Sequence, residues 1–502
     1  MRSRVPHAHR GRGAPAGNPP ARAPRSRGAR QVSTRKRRGD GGVAYLDVQG
    51  TLRERTVDAL RDRTLRGNLD SATTSWGESR DAMRSDYGLD EMRERAREIR
   101  RSNIRNLPAL LSEMQAKVRE AGGTVVRAVD GAEACRYITG LAQARGVKVV
   151  AKSKSMATEE IKLNEALEDA RIEVVETDLG EWILQLASEH PSHIIAPAVH
   201  LNREQVAALF REEAGTDDVP DDREGLVAHA RVRLREKFAE AGIGVSGVNL
   251  GVASTGTVCV LENEGNARLV TSQPRIHVAV MGMERVVADW DEAAHILQVL
   301  PMAAIGQDAA NYVNLITGPR RDGEADGPEE FHLVIIDGGR GALRGTEFEE
   351  ALSCIRCGAC LYSCPMWRSV GGQAYGSPYS GPIGAVITPL LEGPSSPASR
   401  DLPFMSSLCG ACGEACPVGI PLQDLLVRAR ARSSSPATRK SGMAFRAWSR
   451  LWRRPSTYRA WMAGWRLMLR ARGKDGWATD LPGPGAGWTQ VRDMPTRWPP
   501  RR

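Results

Sequence analysis

Short apolar runs alternate with amphipathic stretches through the middle of the chain. The amphipathic stretches place apolar residues four positions apart, as at Leu163 and Leu167, and this spacing is typical of helices. Strands that alternate with helices favour a parallel sheet. The pattern therefore predicts an α/β domain over residues 121–342. The predicted strands are 147–150, 172–176, 193–199, 257–261, 268–270, 276–280 and 331–336, and the predicted helices are 158–170, 181–187, 203–213 and 222–241.

The segments before this domain have different patterns. Residues 44–120 carry many charges and few apolar positions, which predicts a helical lead-in. Residues 1–43 are rich in Arg, Pro, Gly and Ala, and they are predicted to be a disordered basic leader because this composition cannot build a core. A solvated tail is the simplest interpretation of the leader. A transit peptide and a contact with nucleic acid or anionic lipid are the alternatives.

Three glycines, Gly242, Gly244 and Gly247, have the Gly-x-Gly-x-x-Gly spacing of dinucleotide-binding loops. Such a loop needs a strand before it and a helix after it. Here a helical pattern precedes the glycines and strand-like residues follow them. We therefore interpret the hexamer as a turn between a helix and the next strands.

The net charge of +10 suggests nucleic-acid binding until its distribution along the 502 residues is considered. Residues 1–39 hold twelve Lys and Arg and no acidic residue, and residues 417–502 hold eighteen against four, so the middle carries −16. An acidic body with two basic ends is not a basic nucleic-acid-binding domain, and no specific nucleic-acid partner is expected. No run of about 18 apolar residues and no secretory signal is visible, so a cytoplasmic location is expected.

Seven of the nine cysteines form two closely spaced blocks. The first is Cys-x2-Cys-x2-Cys-x3-Cys-Pro from Cys354 to Pro365, and the second is Cys-x2-Cys-x3-Cys-Pro from Cys409 to Pro417. Short spacings let one turn deliver several thiolates to one iron–sulfur cluster, and the cysteine before proline ligates the other cluster in two-cluster proteins. The predicted ligands are Cys354, Cys357, Cys360 and Cys416 for cluster 1, and Cys364, Cys409 and Cys412 for cluster 2.

Cluster 2 has three cysteines where a 4Fe–4S cluster needs four ligands. The first cysteine of a full second motif would stand at Ser406. The site is therefore a 3Fe–4S centre, or a 4Fe–4S cluster with the Ser406 hydroxyl, water or substrate on its fourth iron. Zinc is the structural alternative, although zinc sites usually pair two Cys-x2–4-Cys knuckles. The remaining Cys135 and Cys259 are expected to be buried thiols.

The cysteine blocks and several other segments resemble the lactate utilization protein B family. The resemblance covers about residues 50–470, and the seven-cysteine pattern is that of the family. The matching segments are 152–161, 177–181, 193–197, 262–268, 327–331, 353–368, 370–389 and 407–421.

This family is the iron–sulfur subunit of a bacterial L-lactate oxidation system. The resemblance implies an α/β lactate-utilization domain similar to the sugar-isomerase and CoA-transferase fold, followed by an α-helical ferredoxin domain over 343–432 with two 4Fe–4S sites. It also implies a Cys-rich partner subunit and a smaller partner subunit with a related α/β domain. The joint activity that it implies is the oxidation of L-lactate to pyruvate, which allows growth on lactate.

The carboxyl ends of the predicted strands suggest a ligand site, because open α/β sheets bind ligands there. Lys152 and Lys154 follow the first predicted strand, Asp178 the second and His200 the third. Lysines suit a small carboxylate such as lactate, and a histidine can remove a hydroxyl proton. Solvated lysines and a capping histidine are the alternative interpretation. The other polar residues at these ends are Ser153, Ser155, Ser254, Thr255 and Thr257.

Residues 433–502 combine tryptophan with arginine, and seven of the eleven tryptophans follow residue 440. The pairs Trp448/Trp452 and Trp461/Trp465 are four positions apart, which predicts two short amphipathic helices on either side of Pro455. Three interpretations fit: packing on the acidic body, docking of a partner subunit, and peripheral contact with an anionic membrane.

No flavin or nicotinamide motif stands out in the sequence, so the chain is expected to relay electrons within a complex. Another relay, such as a glycolate oxidase or heterodisulfide reductase subunit, would carry Cys-Cys pairs, which this sequence lacks. A second alternative is a self-contained enzyme whose incomplete cluster 2 binds a small hydroxy acid at an open iron. A third is a redox-sensing regulator that binds nucleic acid through its leader.

Overall fold

The structure, a computed structural model, describes residues 50–393, 396, 398–433, 436–473, 476–478, 481–482 and 494–496. The predicted disordered leader, residues 1–43, lies outside these residues, as do Trp488 and Trp498. Among the helices of the described residues, none is long and apolar enough to cross a membrane.

The helices of the described residues run from the lead-in to the C-terminal region. The α-helices are α1 (Leu52–Arg61), α2 (Arg63–Tyr87), α3 (Leu89–Arg105), α4 (Leu107–Glu120), α5 (Gly131–Ala144), α6 (Met156–Glu160), α7 (Leu163–Asp169), α8 (Leu179–Ala187), α9 (Arg203–Ala214), α10 (Arg223–Glu240), α11 (Asn266–Ser272), α12 (Trp290–Ile305), α13 (Ala359–Tyr362), α14 (Pro365–Val370), α15 (Gly381–Glu392), α16 (Ala411–Ala415), α17 (Leu422–Arg432), α18 (Pro436–Trp452) and α19 (Pro455–Arg472). Short 3-10 helices occur at Met283–Arg285, Gly341–Leu343, Glu349–Ser353, Gln373–Tyr375 and Leu402–Phe404.

The strands belong to three sheets. They are β1 (Thr124–Ala128), β2 (Val149–Lys152), β3 (Glu173–Glu176), β4 (Ile243–Gly247), β5 (Leu250–Val252), β6 (Thr257–Glu262), β7 (Ile276–Gly282), β8 (Val286–Val287), β9 (Tyr312–Ile316), β10 (Glu330–Ile336), β11 (Trp477–Ala478) and β12 (Met494–Pro495).

A six-stranded sheet in the order β1-β10-β7-β4-β2-β3 forms the centre of the α/β domain, and all its strands are parallel. Helices cover both faces. In β10, Leu333 and Ile335 pack in one cluster with α4, whereas Val334 and Ile336 pack in another with α5. Both faces of such a strand are buried, and the four successive residues Leu333–Ile336 are accordingly all apolar. The parallel-sheet α/β domain that these runs predict is confirmed.

The strand order reverses beside β2. From β2 the chain crosses to β3 on one side, and it then returns to build β4, β7 and β10 on the other side. In an open parallel sheet, such a reversal leaves a crevice at the carboxyl ends of the neighbouring strands. The reversal here places this crevice beyond β2 and β4.

A second, smaller sheet has the strand order β8-β5-β6-β9. β6 is antiparallel to both of its neighbours, and β8 is parallel to β5. Val258 of β6 and Val286 of β8 share a core cluster with Met281 of β7. The strand predicted at 257–261 therefore exists, but it belongs to this mixed sheet and not to the parallel one.

The strand predicted at 193–199 is wrong, because these residues form bends and turns. The Ser192 amide donates to the Pro197 carbonyl at 3.0 Å and closes a loop. The Ser192 hydroxyl accepts from the Gly372 amide at 3.1 Å, and the Ser192 carbonyl accepts from the Ser380 hydroxyl at 3.2 Å. The run is apolar because the loop is buried against the cysteine-rich segment, so its burial does not come from a sheet.

Two other predicted elements also differ from the structure. Residues 268–270 lie in helix α11 and not in a strand, because Glu262 accepts from the Ala267 and Arg268 amides at 2.6 and 3.0 Å and so caps the helix. The helix predicted over 158–170 is divided into α6 and α7. Lys162 separates them with a left-handed backbone at φ 56°.

The glycine hexamer is not a turn, since residues Ile243–Gly247 form β4. A Cβ on Gly244 would lie 1.8 Å from the Val270 carbonyl oxygen. The absence of a side chain at this position lets α11 pack directly on the sheet. Close packing between a helix and a strand thus explains the second glycine of the hexamer.

The cysteine-rich segment from α13 to α17 is the predicted helical ferredoxin domain, which is confirmed. Its core is continuous with the helical lead-in, because Leu69 of α2 and Leu89 of α3 share a cluster with Trp367 and Leu425. Arg100 of α3 is fully buried and donates to the carbonyls of Ser353 and Val286, both at 3.3 Å. The lead-in therefore joins the two domains.

Helices α18 and α19 are the two predicted C-terminal helices, and α19 begins at Pro455. Their tryptophan rings pack against one another in sequence, and only the Trp461 and Trp465 rings are nearly parallel. Ring centroids lie 4.7 Å apart for Trp448 and Trp452, 5.2 Å for Trp452 and Trp461, and 5.3 Å for Trp461 and Trp465.

Much of the apolar surface of these two helices stays open to solvent. Phe445 is 67% exposed and Leu467 is 70% exposed. From residue 436 to residue 473 the sequence holds ten Lys and Arg and no acidic residue. The pair of helices therefore presents a cationic, aromatic-rich surface.

Candidate metal centre and adjoining cavity

The first cysteine block folds as a tight loop followed by two short helices. Arg356 and Gly358 have left-handed backbones, with φ 61° and 78°, and they turn the chain between Cys354 and Cys360. Cys360 lies in α13, and Cys364 is the N-cap residue of α14. The loop therefore carries Cys354 and Cys357, whereas Cys360 comes from α13 and Cys364 from the start of α14.

The second block repeats this pattern with fewer residues. Leu408 and Gly410 have left-handed backbones, with φ 57° and 89°. Cys412 lies in α16, and Cys416 is the C-cap residue of that helix. Cys409 is exposed, whereas Cys412 and Cys416 are buried.

The thiols divide into two electrostatic groups. Burial raises the pKa of Cys357 to about 12, and the next-largest cause is Cys416 of the other block. Burial also raises the pKa of Cys412 to about 12, followed by the influence of Cys364. One group holds Cys354, Cys357, Cys360 and Cys416, and the other holds Cys364, Cys409 and Cys412.

Backbone amides surround several of these sulfurs. The Arg356 amide donates to Cys354 Sγ, and the Ile420 amide donates to Cys416 Sγ, both at 3.4 Å. Peptide N–H groups of this kind stabilise sulfur atoms that carry negative charge in iron–sulfur sites. Buried thiols in two groups with amide donors are thus a donor set that fits iron–sulfur clusters.

The Ser406 hydroxyl is engaged in a turn. The Ser406 Oγ accepts from the Leu408 amide at 3.1 Å. The Ser406 carbonyl accepts from the Arg430 guanidinium at 2.7 Å. Within the described part of the chain, no three Cys, His, Asp or Glu side chains converge closely enough to hold a single metal ion.

The two isolated cysteines are buried, as expected. Burial raises the pKa of both Cys135 and Cys259 to about 12. The Cys135 thiol donates to the Ile161 carbonyl at 3.2 Å. Both residues lie in core clusters of the α/β domain and its neighbours.

A histidine of the α/β domain contacts the first cysteine loop. His193 is buried between Trp76 and Trp367, with both ring centroids 5.1 Å from its own. Its Nδ1 accepts from the Ile195 and Ala196 amides, so the ring proton is on Nε2. A Cβ on Gly358 would lie 3.1 Å from this Nε2, which has no hydrogen-bond partner among the described residues.

A cavity of about 310 Å³ lies at the carboxyl ends of β2, β4 and β7, where the strand order reverses. Its wall on the α/β side includes Lys154 and Arg285. Its wall on the other side includes Arg356 from the first cysteine loop and Tyr379. The cavity therefore lies between the sheet and the loop that carries Cys354 and Cys357.

Arginines and glutamates form a buried network along this wall. Arg340 donates to Glu160 through both Nη atoms, at 2.8 and 2.6 Å. Glu284 is shared by Arg340, Arg356 and Arg285, with nitrogen–oxygen distances of 2.8, 3.4 and 3.7 Å. These arginines outweigh the effect of burial and lower the pKa of Glu284 to about 2, so Glu284 remains ionised.

Gly282 at the end of β7 makes room for this network. A Cβ there would lie 2.3 Å from the Glu284 carboxylate. Sequence reasoning did not identify Glu284, Arg285, Arg340 or Arg356. One sequence signal could have pointed to this network: Gly282, at the end of an apolar run, is followed closely by the opposite charges of Glu284 and Arg285.

The two lysines of the predicted anion site have different surroundings. Lys152 is only 1% exposed and contacts Glu159 and Glu176, both at 2.7 Å. Burial alone lowers its pKa, but these carboxylates outweigh burial and raise it. Lys154 lines the cavity, lies 3.7 Å from Glu181 and donates to the Ile194 carbonyl. Of the two lysines predicted for an anion site at this strand end, Lys154 lines the cavity and Lys152 does not.

The other predicted site residues are dispersed. His200 lies outside the cavity lining, and its Nε2 is 2.7 Å from Glu189. Ser153, Ser155 and Asp178 line the cavity, and Asp178 also caps α8 by accepting from the Glu181 amide. The hydroxyls of Ser254, Thr255 and Thr257 do not line it.

Two parts of the chain match known family models. Residues 111–336 match the LUD domain, and residues 350–420 match the 4Fe-4S dicluster domain. The first match covers the parallel sheet, and the second covers both cysteine blocks.

Relatives with the name lactate utilization protein B are similar over most of their length. The protein from Bacillus licheniformis is 45% identical over 450 residues, which are 88% of this chain and 93% of the relative. The protein from Shouchella clausii is 44% identical over 446 residues, with the same coverage. The protein from Bacillus cereus (strain AH820) is 48% identical over 378 residues, which are 75% of this chain and 79% of the relative.

A solved structure of a DUF162 family protein from Deinococcus radiodurans covers 46% of this chain and 98% of its own, with 9% identity and a TM-score of 0.24. A score this low supports no comparison of the folds. The relatives do decide the family, because they are 44–48% identical over 75–88% of this chain. The chain belongs to the lactate utilization protein B family, and its cysteine-rich domain is an iron–sulfur domain.

Proposed function

We propose that this chain is the iron–sulfur electron-transfer subunit of a complex that oxidises L-lactate to pyruvate. The observation that carries the proposal is the position of Arg356. This residue stands between two cysteines of the first block and also lines the cavity of the α/β domain. A group bound in the cavity would therefore be next to a cluster ligand loop.

Two 4Fe–4S clusters are proposed, one on Cys354, Cys357, Cys360 and Cys416, and one on Cys364, Cys409 and Cys412. When bound, such clusters accept and release electrons one at a time. Oxidation of lactate to pyruvate releases two electrons and two protons. The protein supplies buried thiols, amide donors to sulfur and one exposed candidate ligand, Cys409.

The alternative of a self-contained enzyme requires the substrate at an open iron of the three-cysteine site. The cavity instead adjoins the loop of the four-cysteine group, through Arg356. This arrangement favours electron transfer over catalysis at an open iron. The first two-electron acceptor is accordingly assigned to a partner, either the Cys-rich subunit or the smaller α/β subunit.

We also propose where the protein is located in the cell, on the basis of the C-terminal helices α18 and α19. Their exposed aromatic residues and ten basic residues favour peripheral contact of this cytoplasmic protein with an anionic membrane surface. An acidic surface of a partner subunit is the competing occupant.

The test begins with anaerobic purification, iron and sulfide analysis and EPR spectroscopy. About eight irons per chain are expected for two cubanes, and about seven if cluster 2 is a 3Fe–4S centre. L-Lactate should leave the spectrum of the chain alone unchanged, and it should reduce the clusters when both partner subunits are present. Stoichiometric zinc, or no lactate-dependent reduction in the complete complex, would contradict the proposal.

A further inference from the structure

Strand β9 is an open edge of the smaller, mixed sheet. Among the described residues it pairs with β6 alone, in an antiparallel ladder. The other side of the strand therefore presents backbone N–H and C=O groups that no strand pairs with. Val313 and Leu315 share one face of β9 because they are two positions apart, and they are 41% and 53% exposed. β9 thus combines open backbone groups with apolar side chains that another strand can cover.

The other edges of the two larger sheets are protected against such pairing. β1 carries the exposed Arg127, and β3 carries the exposed Glu173. β8 consists of Val286 and Val287 alone, and both are fully buried. Charged side chains and short length are the usual means by which proteins keep an edge strand from pairing with another chain. The sequence of β9, Tyr-Val-Asn-Leu-Ile, holds no charge and no proline, so its edge lacks this protection.

The opposite face of β9 is anchored to the wall of the cavity. Asn314 Nδ2 donates to Glu262 Oε1 at 2.8 Å, and Glu262 lines the cavity. The Arg268 guanidinium lies 4.4 Å above the Tyr312 ring. Ala310, two residues before β9, also lines the cavity. The strand is therefore held from one face, while its edge and its other face stay open.

The open edge is complementary to a second copy of itself. An antiparallel pair with a two-fold axis at Asn314 places Val313 opposite Leu315 of the other copy, and Tyr312 opposite Ile316. Apolar pairs of this kind, and aromatic pairs with β-branched residues, stabilise neighbouring strands. A shift of the axis by one residue leaves Val313 or Leu315 opposite a polar residue outside the strand. The axis at Asn314 also brings no like charges together, because β9 is uncharged.

We propose that two copies of this chain pair through β9 and form a two-fold symmetric dimer. The two four-stranded sheets then join into one continuous sheet. Two-fold dimers are the commonest assemblies of identical chains. A five-residue strand gives a small interface, so the dimer forms reversibly, at chain concentrations on the order of micromolar. Each cavity lies one strand away from the joined edge, because Val260, Leu261 and Glu262 of β6 line it.

The test is analytical ultracentrifugation of the full, cluster-containing chain, purified anaerobically, over a concentration series in the micromolar range. We expect the unchanged chain to reach twice its mass of 54.6 kDa and to dissociate on dilution. Val313→Lys combined with Leu315→Lys sets lysine opposite lysine at both cross-strand positions. This double variant should raise the dissociation constant of the dimer by roughly tenfold or more.

Val313→Lys combined with Leu315→Glu is the matched variant. It removes the same two apolar side chains, but the two-fold axis sets lysine opposite glutamate at both positions. It should therefore form a dimer roughly tenfold or more tighter than the variant with two lysines. Val227→Lys combined with Val232→Lys on α10, where both valines are exposed, is the control for added surface charge and should leave the dissociation constant unchanged.

Iron content and circular dichroism check the folding of every variant. A monomeric unchanged chain throughout the series would overturn the proposal. Equal dissociation constants for the variant with two lysines and the variant with lysine and glutamate would also overturn it, because only the pairing through β9 distinguishes them. A monomeric variant with Phe445→Ser and Leu467→Ser would instead assign the association to the C-terminal helices.

Discussion

Lys152 and Lys154 are two residues apart, and yet their surroundings differ completely. The sequence places both at a strand end, where a lysine can meet a ligand. It cannot show that Lys152 is the last residue of β2 and lies under Glu159 and Glu176. The cysteine positions could be predicted because their spacing is local, whereas a lysine's partners come from distant elements.

The first prediction concerns Lys152→Ala. Removal of the cation leaves two buried carboxylates without their partner, and such a loss costs about 3–5 kcal/mol of unfolding free energy. Chemical denaturation of the cluster-containing chain measures the effect. Lys117→Ala is the control, because Lys117 is on the surface, and it should change the stability by less than about 0.5 kcal/mol. A comparable small change for both variants would contradict the buried ion triad.

A second prediction concerns His193→Leu, which keeps the apolar packing between Trp76 and Trp367 but removes the Nε2 proton beside Gly358. Burial lowers the pKa of His193 to about 3, so the ring is a neutral donor. We expect this proton, which has no partner among the described residues, to donate to cluster 1. Removal of such a hydrogen bond, worth about 0.5–1.5 kcal/mol, should lower the midpoint potential of that cluster by about 20–60 mV.

The measurement is an EPR-monitored redox titration with iron content as the check on cluster integrity. His332→Leu is the control, since His332 is also buried but pairs with Tyr137 in the α/β domain. A potential that is unchanged in His193→Leu, at full iron content, would show that this proton does not face the cluster.

At the scale of elements, apolar runs predicted most of the strands. The prediction was wrong where a run is apolar because it packs against another domain and not because it lies in a sheet. The run at 276–280 is buried on both faces of a sheet and became β7. The run at 193–199 is buried against another domain and became a loop. Apolar composition reports burial, and only the partner, which is remote in sequence, decides between strand and loop.

The exposed face of α18 and α19 gives an element-scale prediction. The chain should float with vesicles that contain phosphatidylglycerol at low salt, and high salt should release it. Phe445→Ser combined with Leu467→Ser should weaken binding by roughly tenfold or more, because two exposed apolar side chains are removed.

The control for this experiment is Val227→Ser combined with Val232→Ser on α10, where both valines are exposed outside the C-terminal region. Equal binding of both double variants, or equal binding to pure phosphatidylcholine, would remove the membrane from the proposal. Binding only to a purified partner subunit would assign the surface to that subunit.

At the scale of the molecule, the two cysteine blocks are interlaced, since Cys416 of the second block lies with the first group. We therefore predict that Cys416→Ala and Cys409→Ala alter different EPR signals, although both residues belong to the second block. Each variant should lose up to about half of the iron. Cys259→Ala, which changes an isolated buried thiol, should retain both signals. Loss of the same signal in Cys416→Ala and Cys409→Ala would contradict the interlaced arrangement.

The shared core of the lead-in and the ferredoxin domain has a consequence for biosynthesis. Leu69 packs beside Gly371, about 300 residues later in the chain. At a translation rate of about 5–20 residues per second, helix α2 leaves the ribosome roughly 15–60 s before this partner exists. Helix α12, which α2 also contacts, is made earlier, but the part of the α2 surface that packs on the ferredoxin domain stays uncovered during that interval, while the parallel sheet is already complete at Ile336. Iron delivery therefore comes late in the making of this protein, onto a segment that closes over helices made long before it.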